Sequence, residues 1–219
     1  HAAYSKRAMA GDALALMCDL GFERFAVVGH DRGGRVGYRL ALDHPQAVRC
    51  FSSLTVIPTE AMWQRAGMDF GLKAYHWYLF AQPYDLPERL LRSDPAYFLD
   101  WTLRGMALDP ARIAAAARER YHAAFARESV RHAMVEDYRA GASLDLTHDR
   151  EARASGRKLE CPVQVLWSSG APDPIATWRE WAQHVEGAPI DAGHLLAEEA
   201  PDAVLGHLQP FLRRLLCGA

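Results

Sequence analysis

The stretch of sequence that decides the fold is Val27-Val28-Gly29-His30-Asp31-Arg32-Gly33-Gly34-Arg35. It begins with the end of a short apolar run, too brief for a buried helix, and continues into glycines and then into helical spacing. This order predicts a buried strand, a sharp turn and a helix. Gly29 and Gly33 lie two residues before and after Asp31, the spacing of a nucleophile elbow, in which the turn leaves no room for side chains at the two flanking positions.

The apex of this turn, Asp31, carries a carboxylate where the common form of the elbow has serine. A serine that displaced a leaving group from carbon would be trapped as an ether, whereas a carboxylate forms an ester that water can cleave. The residue therefore indicates alkyl transfer to Asp31. The competing interpretation is that Asp31 only caps the helix that follows it, and the motif alone leaves both interpretations open.

Strand and helix signals alternate on both sides of the elbow, which predicts a parallel sheet covered by helices. Between residues 60 and 155 the pattern becomes helical, with 111–121 the clearest case. We therefore expect a first part of the sheet core at 1–59, an inserted helical cap at 60–155 and a second part of the core at 156–219. The predicted strands are 25–28, 50–57, 163–167 and 188–190, and the predicted core helices are 5–20, 33–44, 174–185 and 201–216.

The composition is that of a soluble protein with a sizeable core. Half of the 219 residues are hydrophobic, and no apolar run approaches the roughly 18 residues that a membrane-spanning helix requires. The 25 basic and 27 acidic side chains leave a net charge of -2, which argues against nucleic acid as a partner. Four dispersed cysteines without a CxxC pair predict neither a disulfide framework nor a structural metal, and favour a cytoplasmic location. Because the chain begins at His1 without a methionine, we expect an upstream segment.

A second candidate catalytic motif, Asp191-Ala192-Gly193-His194, lies far downstream of the elbow. Its histidine follows a short predicted strand and precedes a predicted helix, and it comes after the nucleophile in chain order, as the elbow requires. Each of the ten histidines, taken alone, is more often a surface or core residue than a catalyst. The position after the last strand singles out His194.

The sequence resembles the fluoroacetate (haloacetate) dehalogenases of the α/β-hydrolase superfamily over essentially its whole length. The motifs that carry the resemblance are the elbow, Ala74-Tyr75-His76-Trp77, Ala81-Gln82-Pro83 and Gly193-His194. The GHDxGG part of the elbow is shared with epoxide hydrolases and haloalkane dehalogenases, whereas the paired arginines and the His-Trp pair are more specific. The resemblance implies an α/β-hydrolase fold with an inserted helical cap, and no cofactor or metal.

The resemblance also implies roles for seven residues. Asp31 is the expected nucleophile, Arg32 and Arg35 hold the substrate carboxylate, His194 activates water, and His76, Trp77 and Tyr138 bind the departing halide. General chemistry fits these roles, because a planar guanidinium binds both oxygens of a carboxylate and a halide leaving carbon needs several donors aimed at one point. The competing interpretation of the aromatic residues is a stripe that packs the insertion on the sheet.

One position departs from the family pattern. Where the family has Leu-Asp-x-x-Pro-Thr after the elbow helix, this chain has Leu54-Thr55-Val56-Ile57-Pro58-Thr59. Thr55 cannot carry the negative charge that stabilises an imidazolium. Asp173, which follows the third predicted strand, is the best substitute as the acid that orients His194. The alternative is that Asp173 only caps the helix opened by Pro174.

The sequence thus predicts a haloacetate dehalogenase that works through an aspartyl ester and releases a 2-hydroxy acid. Its expected partner is a small carboxylate substrate, without nucleic acid or membrane, and the assembly we consider is a homodimer. Two alternatives stay open. One is an epoxide hydrolase, which uses the same aspartate and histidine but relies on tyrosines of the cap. The other is a non-catalytic binding protein of the same shape, which Thr55 favours.

Overall fold

The computed structural model describes residues 1–216, so Cys217 and the last two residues of the predicted second core part lie outside it. Within the described residues, four parallel strands form one sheet in the order β1-β2-β3-β4. The strands are β1 (Phe25–His30), β2 (Val48–Leu54), β3 (Val163–Ser168) and β4 (Val185–Ile190). Helices flank this sheet, and the predicted α/β-hydrolase fold class is confirmed.

The helices fall into two groups along the chain. Those that follow or precede strands of the sheet are α1 (Lys6–Asp19), α2 (Arg32–Asp43), α11 (Ile175–Trp181), α12 (Leu196–Glu199) and α13 (Pro201–Leu216). Those between β2 and β3 are α3 (Thr59–Gln64), α4 (Met68–Lys73), α5 (His76–Phe80), α6 (Leu86–Ser93), α7 (Pro95–Met106), α8 (Ala115–Phe125), α9 (Glu128–Gly141) and α10 (Leu144–Ala154). We call this second group the helical insertion; its division from the core as a separate cap domain stays a prediction. Short 3-10 turns lie at Ala2–Tyr4 and Pro110–Arg112.

Local sequence signals mark both ends of α1. The Ser5 hydroxyl accepts a hydrogen bond from the Ala8 N–H at 3.2 Å and so caps α1, and Gly21, with φ +83°, follows its end. Two predicted helices differ from the structure: α11 is shorter than expected and ends at Trp181, and the helix predicted at 111–121 lies four residues later, at Ala115–Phe125, after a 3-10 turn.

The predicted strand 50–57 ends at Leu54 instead of continuing through the apolar residues beyond it. The chain leaves the sheet at Thr55, whose φ is +65°. Val56 and Ile57 are nevertheless buried, and the Val56 carbonyl accepts a hydrogen bond from the Trp178 indole N–H at 3.0 Å. A side chain from α11 therefore replaces the strand partner that the apolar pattern suggested.

The main core lies between α2 and the sheet and fixes the helix that follows the elbow. The Tyr38 ring of α2 packs 6.1 Å and 6.0 Å from Trp178 and Trp181, and all three side chains are almost fully buried. A Cβ on Gly37 would lie only 2.5 Å from the Phe51 ring of β2. Helix α2 therefore packs on the sheet at the close distance that glycine permits.

A buried ion pair joins α2 to the helical insertion. The Asp149 carboxylate of α10 accepts hydrogen bonds from the Arg39 guanidinium at 2.5 Å, the Tyr38 hydroxyl at 2.9 Å and the Glu60 N–H at 3.0 Å. These partners satisfy a carboxylate whose residue is only 1% exposed in its side chain, as a buried charge requires.

None of the helices within residues 1–216 has the length and apolar character needed to cross a bilayer.

Candidate active site

The elbow between β1 and α2 presents Asp31 in a strained backbone conformation. Asp31 has φ +49° and ψ -119°, and its N–H donates to the Leu54 carbonyl at 3.2 Å. Its side chain makes no hydrogen bond to the first turn of α2. The interpretation of Asp31 as a helix cap is therefore wrong, and its carboxylate lines a cavity at the carboxyl ends of the strands.

The glycines of the elbow are not equivalent. A Cβ on Gly29 would lie 2.4 Å from the Gly33 carbonyl oxygen, and a Cβ on Gly34 would lie 2.8 Å from a Val56 methyl group. A Cβ on Gly33 would meet no atom of this chain within 4 Å. The expectation that both flanking positions lack room is confirmed for Gly29 and wrong for Gly33, because the crowded second glycine is the next one, Gly34.

His194 approaches the apex of the elbow from the loop after β4. Its Nε2 lies 3.5 Å from Oδ2 of Asp31. Burial by itself would raise the pKa of the Asp31 carboxyl, but the hydrogen bond and charge of His194, with the guanidinium groups of α2, hold that pKa well below its usual range. The carboxylate therefore stays ionised, as a nucleophile must be.

His30, the residue before the nucleophile, holds the segment 191–194 after β4, which we call the histidine loop. Its Nε2 lies 2.7 Å from the His194 carbonyl oxygen, and because a carbonyl only accepts, that nitrogen carries the proton. Burial lowers the pKa of His30, which keeps the ring neutral. This contact joins residues that are far apart in sequence, so no local pattern could have indicated it.

Most of the predicted site residues meet in one cavity of about 260 Å³. This volume suits a substrate of a few heavy atoms. The apolar walls of the cavity include Met62, Phe70 and Met106. The predicted residues that line it are Asp31, Arg35, His76, Trp77, Tyr138 and His194. Arg32 and Asp173 do not.

Arg35 is the cationic group of α2 that lines the cavity. It is only 2% exposed, its guanidinium lies 4.7 Å from the centre of the Trp77 ring, and one terminal nitrogen donates to the Ile57 carbonyl at 2.8 Å. Its Nε has no hydrogen-bond partner among residues 1–216. A buried guanidinium in the wall of a cavity is suited to an anionic ligand.

Arg32 has a protein partner instead. Its guanidinium forms an ion pair with Asp137 and stacks on the Tyr138 ring at 3.7 Å. Asp137 also pairs with the buried Lys6, whose pKa is lowered to about 7 by burial and by the charge of Arg32. The sequence predicted that Arg32 and Arg35 both hold the substrate carboxylate, but only Arg35 lines the cavity. Arg32 forms its ion pair with Asp137 instead.

The predicted halide-binding residues lie on α5 and α9 and contact one another. The Tyr138 ring centre lies 5.6 Å from that of His76 and 5.8 Å from that of Trp77. Burial lowers the pKa of His76 to about 4 and raises that of Tyr138, so both are neutral hydrogen-bond donors near pH 7. Trp77 and Tyr138 also belong to the hydrophobic cluster of the insertion, so these two side chains both pack the insertion and line the cavity.

The structure does not bring Asp173 to His194. Asp173 is exposed, its Oδ1 accepts from the Ile175 N–H at 2.7 Å, and no oxygen of it lies within ion-pair distance of the imidazole. This is the helix-capping geometry that was its alternative interpretation. Thr55 does line the cavity, but its hydroxyl donates to the carbonyl of the preceding residue at 2.7 Å.

Comparisons with known proteins identify similar sequences and structures. A fluoroacetate dehalogenase from Burkholderia sp is 35% identical over 97% of this chain and 71% of that protein. A Pseudomonas aeruginosa protein described as a candidate epoxide hydrolase is 56% identical, and its structure, with a TM-score of 0.92, covers 95% of this chain and 72% of that one. A variant of that protein with bound MFA has a TM-score of 0.93 at the same identity.

More distant curated relatives include a soluble epoxide hydrolase from Corynebacterium sp. (strain C12), which is 28% identical over 97% of this chain and 75% of that protein. The family model described as the alpha/beta hydrolase fold matches residues 2–201. With the elbow, the parallel sheet and the downstream histidine in place, the chain belongs to the α/β-hydrolase family of enzymes.

Proposed function

We propose that this hydrolase removes halogen from haloacetates and related small 2-haloacids through an aspartyl ester. The observation that carries the proposal is Arg35, a buried guanidinium that lines the same 260 Å³ cavity as Asp31. A substrate carboxylate in that cavity would bring a negative charge to it. The similarity to a fluoroacetate dehalogenase supports the same substrate class.

In the first step an Asp31 oxygen attacks the carbon that bears the halogen. The carbon–halogen bond breaks, its electron pair leaves with the halide, and an ester joins Asp31 to the substrate. The low pKa of Asp31 keeps the attacking group charged. Neutral N–H and O–H donors of His76, Trp77 and Tyr138 would stabilise the departing halide without competing for the substrate carboxylate.

In the second step His194 accepts a proton from a water molecule, which attacks the carbonyl carbon of the ester. The bond from that carbon to the oxygen that carries the substrate breaks, the departing alkoxide takes the proton from the His194 imidazolium, and a 2-hydroxy acid and free Asp31 are released. The separation of 3.5 Å between the His194 Nε2 and the Asp31 carboxylate supports this role for the histidine. Among residues 1–216, Asp31 supplies the only carboxylate within 4 Å of the His194 imidazole, and Thr55 stands at the chain position where the resembled family has aspartate.

The competing activity is epoxide hydrolysis, which would use the same two residues. It needs an acid on the opening oxygen, and Tyr138 keeps its proton because burial raises its pKa. Epoxide hydrolases are also among the similar proteins. What weighs against this activity is Arg35, because a neutral epoxide would bring no negative charge to its buried guanidinium, whereas a haloacetate would.

The test compares halide release from fluoroacetate and chloroacetate with diol formation from small epoxides. In parallel, a His194→Asn variant is incubated with chloroacetate and its mass is measured. The proposal expects halide release and, in the variant, an added mass on a peptide containing Asp31. Diol formation without halide release would establish the epoxide hydrolase, and the absence of product and adduct would exclude both activities.

A second measurement examines Arg35 itself. Arg35→Lys keeps a positive charge and Arg35→Met removes it, and each variant is compared on chloroacetate and on its uncharged isostere chloroacetamide. A lost charge-assisted hydrogen bond is worth about 1.5 to 3 kcal/mol, so Arg35→Met should raise the Michaelis constant for chloroacetate about ten- to a hundredfold. A folding defect would impair both substrates equally, whereas loss of carboxylate recognition would remove the preference for chloroacetate.

A further inference from the structure

A buried carboxylate outside the cavity joins the histidine loop to the helical insertion. Glu199, the last residue of α12, is only 6% exposed. Within residues 1–216, no lysine, arginine or histidine side chain lies within ion-pair distance of it. Its charge is instead held entirely by backbone N–H groups, which come from two different segments of the chain.

Each Glu199 oxygen serves one segment. Oε1 accepts from the Gly193 N–H at 2.9 Å, directly before the candidate base. Oε2 accepts from the Leu108 N–H at 2.8 Å and the Asp109 N–H at 3.0 Å, in the loop after α7 of the insertion. We call this arrangement of Glu199 with Gly193, Leu108 and Asp109 the Glu199 junction.

The two segments also contact each other directly. The His194 N–H donates to the Met106 carbonyl at 2.7 Å. A Cβ on Gly193 would lie 2.3 Å from the Leu108 nitrogen and 2.5 Å from the Met106 oxygen, so only glycine permits this approach. The junction therefore holds the backbone on the N-terminal side of His194 against the end of α7.

We propose that Glu199 is a positioning residue for His194. Its carboxylate fixes the backbone on the N-terminal side of the histidine, and this fixes where the imidazole lies relative to the ester on Asp31. The proposal rests on the proposed function in one respect, namely that Asp31 forms an ester that His194 helps to hydrolyse. It assigns Glu199 to the second step alone, because Glu199 contacts neither Asp31 nor the cavity residues that bind substrate.

Two glutamates in succession provide a matched control. Glu198 accepts a hydrogen bond from the Tyr121 hydroxyl of α8, so it too joins α12 to the insertion, but it makes no hydrogen bond to the histidine loop. Glu199→Gln keeps the side-chain size, yet its amide NH₂ faces backbone N–H groups on one side of the junction and can accept nothing there. Glu198→Gln makes the same chemical change one residue earlier.

The expected kinetic signature follows from the two-step scheme. If Glu199→Gln slows only ester hydrolysis, kcat and the Michaelis constant should both fall about ten- to a hundredfold, while kcat/KM, which reports ester formation, should change less than threefold. A merely structural role would lower the amount of folded enzyme, and so lower kcat and kcat/KM equally with an unchanged Michaelis constant. Glu198→Gln should leave all three values within about twofold.

The experiment measures chloride release by both variants and the ester by mass spectrometry after rapid quenching during turnover. Glu199→Asp is measured as well, because its shorter carboxylate can reach only one of the two segments and should show the same joint fall. An accumulated ester in the Glu199 variants, but not in Glu198→Gln, supports the proposal. Unchanged kinetics, an equal loss of kcat and kcat/KM, or failure of both Glu199 variants to fold would each overturn it.

The His194→Asn variant separates this inference from the proposed function. An ester in His194→Asn with ordinary turnover by Glu199→Gln would mean that the proposed function stands and that Glu199 does not position the histidine. The absence of any ester in His194→Asn would instead mean that the two-step scheme itself is wrong.

Discussion

The neighbouring strands β1 and β2 end alike in their backbone and differently in their side chains. Each strand is followed by a residue with positive φ, +49° at Asp31 and +65° at Thr55. In both cases the N–H donates to the end of the next strand, at 3.2 Å to Leu54 and at 2.8 Å to Leu166. Asp31 faces His194 with its carboxylate, whereas the Thr55 hydroxyl turns back to its own chain.

This comparison separates the geometry of the site from its charge. Positive φ is rare outside glycine and is a genuine strain for a β-branched residue such as threonine, at a cost of about 1 to 3 kcal/mol. At Asp31 the strained turn presents a nucleophile. At Thr55 the same kind of turn carries an uncharged side chain. The end of β2 therefore has the same backbone conformation as the end of β1 but no carboxylate.

The largest effect is expected at the end of β1. Asp31→Asn should lower halide release by about four orders of magnitude or more, the scale of nucleophile loss in hydrolases, since a neutral amide is a poor nucleophile. The fold should be unaffected, because the Asp31 side chain does not cap α2 and asparagine tolerates positive φ. Halide release and thermal unfolding are measured together, and substantial remaining activity would exclude Asp31 as the nucleophile.

The next largest effect concerns the elbow glycines. Gly29→Ala places a methyl group 2.4 Å from the Gly33 carbonyl oxygen and should lower the free energy of unfolding by about 3 kcal/mol, since backbone must move. Gly33→Ala adds a methyl group at a position of α2 where it meets no other atom within 4 Å, and should raise the free energy of unfolding by about 0.5 to 1 kcal/mol. Denaturant titration of the two variants checks the difference, and equal losses at both positions would contradict the described elbow.

The predictable part of this molecule is the part set by short spacings. The elbow, the helix that follows it and the order of Asp31 before His194 are local or ordinal features, so the sequence carries them. The strand end at Leu54 was missed because the buried residues beyond it are satisfied by Trp178, which the apolar pattern does not reveal. Burial by a helix and burial by a neighbouring strand give the same sequence signal.

The charge pairing of the site was the less predictable part. Arg32 and Arg35 are equivalent in the sequence, one helical turn apart, but only Arg32 meets Asp137. Glu199 carried no signal either, because its partners are backbone N–H groups. Contacts between residues far apart in the chain depend on the packing of the insertion against the sheet, and no local spacing encodes that packing.

A smaller and opposite effect is expected at the end of β2. Thr55→Asp should speed ester hydrolysis about tenfold, because a carboxylate near His194 would stabilise the imidazolium, which corresponds to about 1.4 kcal/mol. Thr55→Asn is the matched control, since asparagine also tolerates positive φ but adds no charge. Single-turnover decay of the ester is measured in both variants. If Thr55→Asn accelerates ester decay as much as Thr55→Asp, the acceleration comes from relief of backbone strain and not from the added charge.

The smallest effect is expected at Asp173, whose carboxylate caps α11 from an exposed position and makes no contact with the histidine. Asparagine caps a helix nearly as well as aspartate, so Asp173→Asn should cost less than about 1 kcal/mol of unfolding free energy and leave ester decay unchanged. In the double variant with Thr55→Asp, the effects on ester decay should add, because residues without shared partners do not couple. A loss of about ten thousandfold in Asp173→Asn, the size seen when a triad loses its acid, would instead show that Asp173 reaches His194 during turnover. The histidine would then have a carboxylate after all, and the charge missing at the end of β2 would be supplied from the end of β3.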